Sequence, residues 1–198
     1  MRSALAAVLA AALAAGCAWA RPKADPTEFF VLEAAPSPKA PRKQPPLVEL
    51  AEVEVPEYLR GPRMAARSRG NEIEYDEFRR WAEPLPQGIA RVLKENLAAT
   101  ADVSQAPVPG RKPAYLLSVR VSAFEGLRLP ANAGSVSVAA SWELRPAGKP
   151  SARGRFASAP AAWDGKDYRA LARLESEALA ALCRDLSRAL LEEQSHQR

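Results

Sequence analysis

Two cysteines, one histidine and a few closely spaced carboxylates carry most of the chemistry this sequence could do. Cys17 follows Gly16 at the end of an apolar run, where its sulfur could take an acyl chain. Cys183 stands in an Ala- and Leu-rich stretch and reads as a small buried hydrophobe, not a nucleophile. His196 lies near the carboxy terminus in a charged tail, so no His-based triad or histidine-rich metal site can be assembled around it. Glu52/Glu54 and Glu72/Glu74 are spaced as an acid and base would be, but alternate residues of a strand more often form a solvated face. No glycine-rich phosphate loop or dinucleotide motif is present. The residues therefore predict no catalytic group, no metal site, no cofactor and no enzyme; a periplasmic hydrolase is the weakest alternative.

The residues around Cys17 determine its chemistry. Arg2 precedes thirteen residues, Ser3 to Ala15, that are Ala, Leu and Val after the first, which is the pattern of an export signal. The run is shorter than the roughly 20 residues a helix needs to cross a bilayer. Two processing sites compete. Ala18-Trp19-Ala20 reads as an ordinary small-x-small cleavage site, whereas Leu13-Ala14-Ala15-Gly16-Cys17 resembles a lipobox, in which the cysteine is acylated and becomes the new amino terminus. The second reading makes residues 1–16 a signal peptide and 17–26 a lipidated tether, with several acyl chains holding the protein durably on a membrane. The lipoprotein resemblance also implies a destination: in enterobacteria-like sorting a residue other than Asp after the cysteine, here Ala18, favours the outer membrane and its periplasmic face. With Cys17 acylated, no intrachain disulfide can form.

The formal charge of +5 is small and dispersed, which argues against a nucleic-acid partner. Arg60, Arg63, Arg67, Arg69, Arg79 and Arg80 do fall close together. They read as a solvated surface or as a face for anionic headgroups or an acidic partner.

Beyond the tether, one domain is expected over residues 27–193, followed by a flexible tail at 194–198. Thr27–Glu33 is β-prone, and the proline-rich loop 34–46 separates it from a second strand, Leu47–Val55, with Leu47, Ala51, Val53 and Val55 predicted on one face. Pro56 ends that strand. Arg63–Arg67 and Glu72–Tyr75 flank Gly70-Asn71 as a hairpin. Pro84 and Pro86 open an amphipathic helix with Leu85, Ile89, Val92, Leu93 and Leu97 on its apolar stripe. Alternation over 114–124, 136–145 and 152–158 predicts an antiparallel meander, and Leu171, Leu174, Ala178, Leu182, Leu186 and Leu190 mark a closing helix. The predicted class is α/β: a single mixed, largely antiparallel sheet with two main amphipathic helices packed on it.

Three segments, Val53-Glu-Val-Pro-Glu-Tyr-Leu59, Phe78-Arg-Arg-Trp-Ala-Glu-Pro-Leu85 and Arg91-Val-Leu-Lys-Glu-Asn-Leu97, resemble the ABC-type transport auxiliary lipoprotein family in order and spacing. The chain departs from it in the long proline-rich insertion and in the loop between Thr100 and Pro113. The resemblance implies a non-catalytic component of an intermembrane phospholipid transport system that associates with an MCE-domain protein and forms a homo-oligomer. Tyr58, Leu59, Trp81 and Glu83 become candidate partner contacts, although Trp81 beside a proline-opened helix reads first as a core anchor and Tyr58 and Leu59 after Pro56 are similarly ambiguous. A partner in lipopolysaccharide assembly and an activator of a cell-wall synthase remain rival functions for the same anchored fold.

Overall fold

A long two-stranded ribbon organises the chain. The computed structural model describes residues 24–35, 45–68, 70–98, 100–130 and 133–195. The predicted signal peptide, Cys17, most of the tether, residues 36–44 of the proline-rich loop and His196 lie outside the described residues.

β6 (Tyr115–Leu129) and β7 (Ala133–Pro146) pair antiparallel through fourteen register positions. The second edge of β6 is divided between β2 (Leu47–Glu54), parallel to its first half, and β3 (Arg63–Arg67), parallel to its second. The second edge of β7 is divided between β8 (Ala152–Ala157) and β9 (Ala161–Trp163), both antiparallel. β4 (Ile73–Trp81) returns antiparallel on β3 through the Gly70-Asn71 turn, where Gly70 takes a φ of 55° that a side chain would resist. β1 (Glu28–Phe30) lies parallel on β4 at one edge, and β5 (Asp102–Ser104) lies parallel on β2 at the other. The result is one open mixed sheet.

Two irregularities reset the alternation of its strands. In β2 the register shifts between Leu50 and Glu52, so Val48 and Leu50 are buried before the shift and Val55 after it. Ala51 is exposed, which corrects its predicted place on the apolar face. In β6 the shift between Val121 and Ala123 passes burial from Val119 and Val121 to Phe124. An extra residue in one strand exchanges the two faces for everything beyond it, which a strict period of two cannot anticipate.

α1 (Leu85–Leu97) starts after Pro84 with Pro86 in its first turn, where missing amide donors cost nothing. α2 (Tyr168–Ser195) starts where the Asp167 carboxylate accepts from the amides of Arg169 and Ala170, at 2.9 and 3.0 Å. It continues two residues past the expected boundary at 193. Both predicted stripes are buried, and the helices touch each other and the sheet. Trp142 of β7 reaches α2 by donating from Nε1 to Asp185 Oδ2 at 3.2 Å; Gly154 on the neighbouring strand gives it room, since a Cβ there would lie 2.3 Å from the indole. One buried cluster runs from Leu32 to Leu190. Each large aliphatic side chain in it contributes roughly 1.5–3 kcal/mol of transfer free energy.

Candidate functional site

Two of the three segments that carry the resemblance, residues 53–59 and 78–85, lie beside each other next to β3 and β4, and Arg91 ties the third to Glu83. After Pro56 stops β2, one turn of 3-10 helix over Glu57–Leu59 drops Leu59 into the core at 5% exposure. Tyr58 is held from both sides. Its hydroxyl donates to Glu125 Oε2 at 3.0 Å, and its carbonyl accepts from the Tyr75 hydroxyl at 2.9 Å. Arg67 donates to Glu125 Oε1 from Nε and Nη2, at 3.0 and 2.6 Å, and the amide of Phe124 donates to Oε2 at 2.8 Å. Burial, with the Glu125 carboxylate beside it, pushes the Tyr58 phenol up to about 12, so it remains a neutral donor.

The Trp81-to-Leu85 segment is a joint between strand and helix. Trp81 is 7% exposed, packs beside Phe124 with ring centroids 6.5 Å apart, and donates its amide to the Pro62 carbonyl at 2.7 Å. Ala82 donates its amide to Phe30 at 2.8 Å, which locks β1 to the end of β4. Glu83 accepts from Arg91 Nε and Nη2 at 3.2 and 2.6 Å, and Nη2 also donates to the Leu32 carbonyl at 2.7 Å. The Glu83 hydrogen bond raises the Arg91 pKa above its ordinary value. Leu85, 1% exposed, then begins α1 inside the core.

Of the four candidate contacts, Leu59 and Trp81 are thus buried in the single chain. Tyr58 is partly exposed, and Glu83 borders a groove of about 570 Å³ with Val31, Arg91 and Glu95. Sequence reasoning missed Glu125, the acceptor that fixes Tyr58. The register shift in β6 hid it, because alternation leads into that strand from its regular first half.

The arginine cluster resolves into paired and unpaired members. Arg60 pairs with Glu57, Arg67 with Glu125, and Arg79 with Glu28 and Asp76. Arg69 lies outside the described residues. Arg63 and Arg80 make no ion pair among the described residues and line a concavity of about 480 Å³ with Glu57, Tyr58, Gly61, Pro62 and Tyr75.

The carboxylates singled out for acid–base chemistry are otherwise engaged. Glu54 pairs with Arg120, whose hydrogen bond holds the Glu54 carboxyl below its usual range, and Glu74 pairs with Arg128. Glu72 accepts from the Ser68 hydroxyl at 3.1 Å. With Glu52, Ser118, Glu143, Arg153 and Arg155, Glu54 lines a shallow concavity of about 610 Å³ on the polar side of the sheet, where acids and bases largely neutralise one another. Cys183 is 3% exposed, and burial pushes its thiol up to about 12, as suits a core residue. Among the described residues, no group of three or more His, Cys, Asp and Glu could hold a metal, and no helix is long and apolar enough to cross a membrane.

Two solved structures share the fold. A Xanthomonas campestris protein of the DUF330 family superposes with a TM-score of 0.70 at 17% identity, covering 87% of this chain and 100% of its own. An uncharacterized protein superposes with a TM-score of 0.67 at 19% identity, covering 83% of this chain and 98% of its own. No curated protein matches the chain. The sequence pattern of the ABC-type transport auxiliary lipoprotein component matches residues 30–187, from β1 through most of α2. The chain belongs to the ABC-type transport auxiliary lipoprotein component family.

Proposed function

We propose that this protein is a non-catalytic component of an MCE-type intermembrane phospholipid transport system, anchored through acylated Cys17 on the periplasmic face of the outer membrane. The observation that carries the reading is the family match over residues 30–187, since the family is by description a transport auxiliary lipoprotein component. Cys17 at the end of an apolar run too short to span a bilayer supports the anchor, and Ala18 supports the outer-membrane destination. The protein self-associates and docks an MCE-domain partner through the β1–β4–β3 end of the sheet. Tyr58 and Glu83 are the candidate direct contacts there, and Leu59 and Trp81 are buried anchors that fix their positions.

Phospholipid transfer between the two membranes tests this in cells. Replacing Cys17 by Ala should release the protein from the membrane fraction and reduce transfer as far as deletion of the MCE-domain gene does. Normal transfer in a strain lacking the protein, or a defect confined to cell-wall synthesis or lipopolysaccharide assembly, would contradict the reading.

A further inference from the structure

The register of the edge strands places a row of three side chains on one face of the sheet. Phe29 of β1 is the direct partner of Arg80 in β4, and Arg80 is the direct partner of Arg63 in β3. Directly paired residues point to the same side, so Phe29, Arg80 and Arg63 stand side by side across three strands. The neighbouring pair, Phe30 and Trp81, points the other way and packs with the core. Phe29 is 63% exposed, and Val31, two residues on, is 48% exposed.

Two features of the row are costly for an isolated domain. Like charges directly opposite on adjacent strands repel, and neither Arg63 nor Arg80 has an ion pair among the described residues to offset it. Arg80 Nε is also buried without an acceptor. The Asp25 carboxyl is held below its usual range first by its hydrogen bonds to Thr27 and only then by the Arg80 charge, with which it makes no ion pair, and Glu57, the acid lining the adjoining concavity, is already paired with Arg60. An oxyanion at the exposed edges of the two guanidinium groups would offset their repulsion, and the exposed aromatic beside them suits a site that is apolar on one side and charged on the other.

We propose that Phe29, Arg80 and Arg63 form a membrane-seating row, in which the two arginines take the phosphate of an anionic phospholipid headgroup and Phe29 inserts beside it. Charge complementarity and chain length select this occupant. Only ten residues lie between Cys17 and Glu28, so β1 stays within roughly 40 Å of an acylated cysteine even with the intervening chain fully extended. The choice of a membrane rests on the lipid-anchor reading above. The test does not, because it uses the chain from residue 21, which has no acyl chain and keeps the whole core cluster.

Flotation with vesicles of phosphatidylcholine alone or mixed with phosphatidylglycerol measures the partition. The parent should bind the phosphatidylglycerol vesicles preferentially and lose them at high salt. Arg63→Gln and Arg80→Gln should each weaken that binding about fivefold, the usual worth of one arginine at an anionic surface. Arg80→Lys should keep most of it, and Phe29→Ser should weaken binding to both vesicle types. Arg169→Gln, an equal loss of charge at an exposed position of α2, should change nothing. Arg63→Gln and Arg80→Gln should melt no lower than the parent, since each relieves the repulsion, and Phe29→Ser and Arg169→Gln should melt like it, since the altered side chains lie outside the core cluster. Binding indifferent to phosphatidylglycerol, or reduced equally by Arg169→Gln, would overturn the proposal. So would full competition by inorganic phosphate, which would mark a soluble-anion site. Loss of the MCE-domain partner by Arg63→Gln and Arg80→Gln with vesicle binding intact would instead assign the row to a protein interface.

Discussion

Glu125 and Glu175 are both buried acids, and their surroundings give them opposite roles. Glu125 is saturated by Tyr58, Arg67 and a backbone amide, which converts a buried charge into the fastening for the 3-10 turn. Glu125→Ala should leave Tyr58 and a partly buried guanidinium without their acceptor and cost about 2 kcal/mol in denaturant unfolding, while Arg67→Ala alone should also loosen Tyr58. A cost near zero would show that the network is not fastening the turn. Glu175, on α2 and 1% exposed, has an Oε2 with no hydrogen-bond partner among the described residues; burial and the nearby Glu125 charge raise its pKa well above 4.5. The folded state then keeps a proton that the unfolded state has already released. Stability should therefore fall as pH rises from the ordinary carboxylate range toward the raised value and level off beyond it. Glu175→Gln should remove that slope and melt higher than the parent at mildly alkaline pH, each ~1 kcal/mol being worth about 2–4 °C in a domain of this size. Melting curves of parent and variant that stay parallel across the pH range would show that Glu175 does not titrate in this way.

At the scale of elements, the sequence was most legible where one local rule decided the outcome. Gly70-Asn71 specified the β3–β4 hairpin, prolines 84 and 86 the start of α1, and a 3.6-residue stripe the buried side of both helices. Leu93 belongs to the α1 stripe and is fully buried; Leu93→Asp should cost several kcal/mol, because an unpaired carboxylate would enter the core, and a melting temperature equal to the parent's would remove α1 from it. Long-range pairing and parity changes were less legible. Nothing near Glu28 indicates that it will lie parallel to Arg79, and the register shifts at Ala51 and Ser122 exchange faces without a local signal in the alternation. The same limits apply to the candidate site. The Trp81-to-Leu85 motif is recognisable as a unit, yet its role as a joint depends on Phe30, Leu32 and Pro62, all distant in sequence, and on Arg91 two turns into the helix. That Arg63 and Arg80 make no ion pair among the described residues could not be read from a run of six arginines, because it depends on which acids the fold brings within reach of the others.

The whole molecule is a folded domain of one core, preceded by the amino-terminal segment proposed above to tie it to a membrane. The anchor itself is directly measurable: intact mass spectrometry of the native protein should find a mature chain starting at Cys17 and carrying acyl chains, whereas an unmodified chain starting at Arg21 would show that cleavage after Ala20 had prevailed. In the proposed arrangement, β1 connects tether, membrane row and partner-facing joint, since it follows the tether, carries Phe29, and is locked by Ala82 and Arg91 to the start of α1. Seating and partner binding would then be neighbouring functions of one end of the sheet. The most direct test of the transport role is co-purification of the lipidated protein from membranes with an MCE-domain protein. A stable complex with the wild-type protein is expected, weakened at least tenfold by Tyr58→Ala under conditions in which that variant, although less stable, is still fully folded. Recovery of a cell-wall synthase in place of the MCE-domain protein would contradict the transport role, and undiminished binding by the folded variant would contradict the place given to Tyr58.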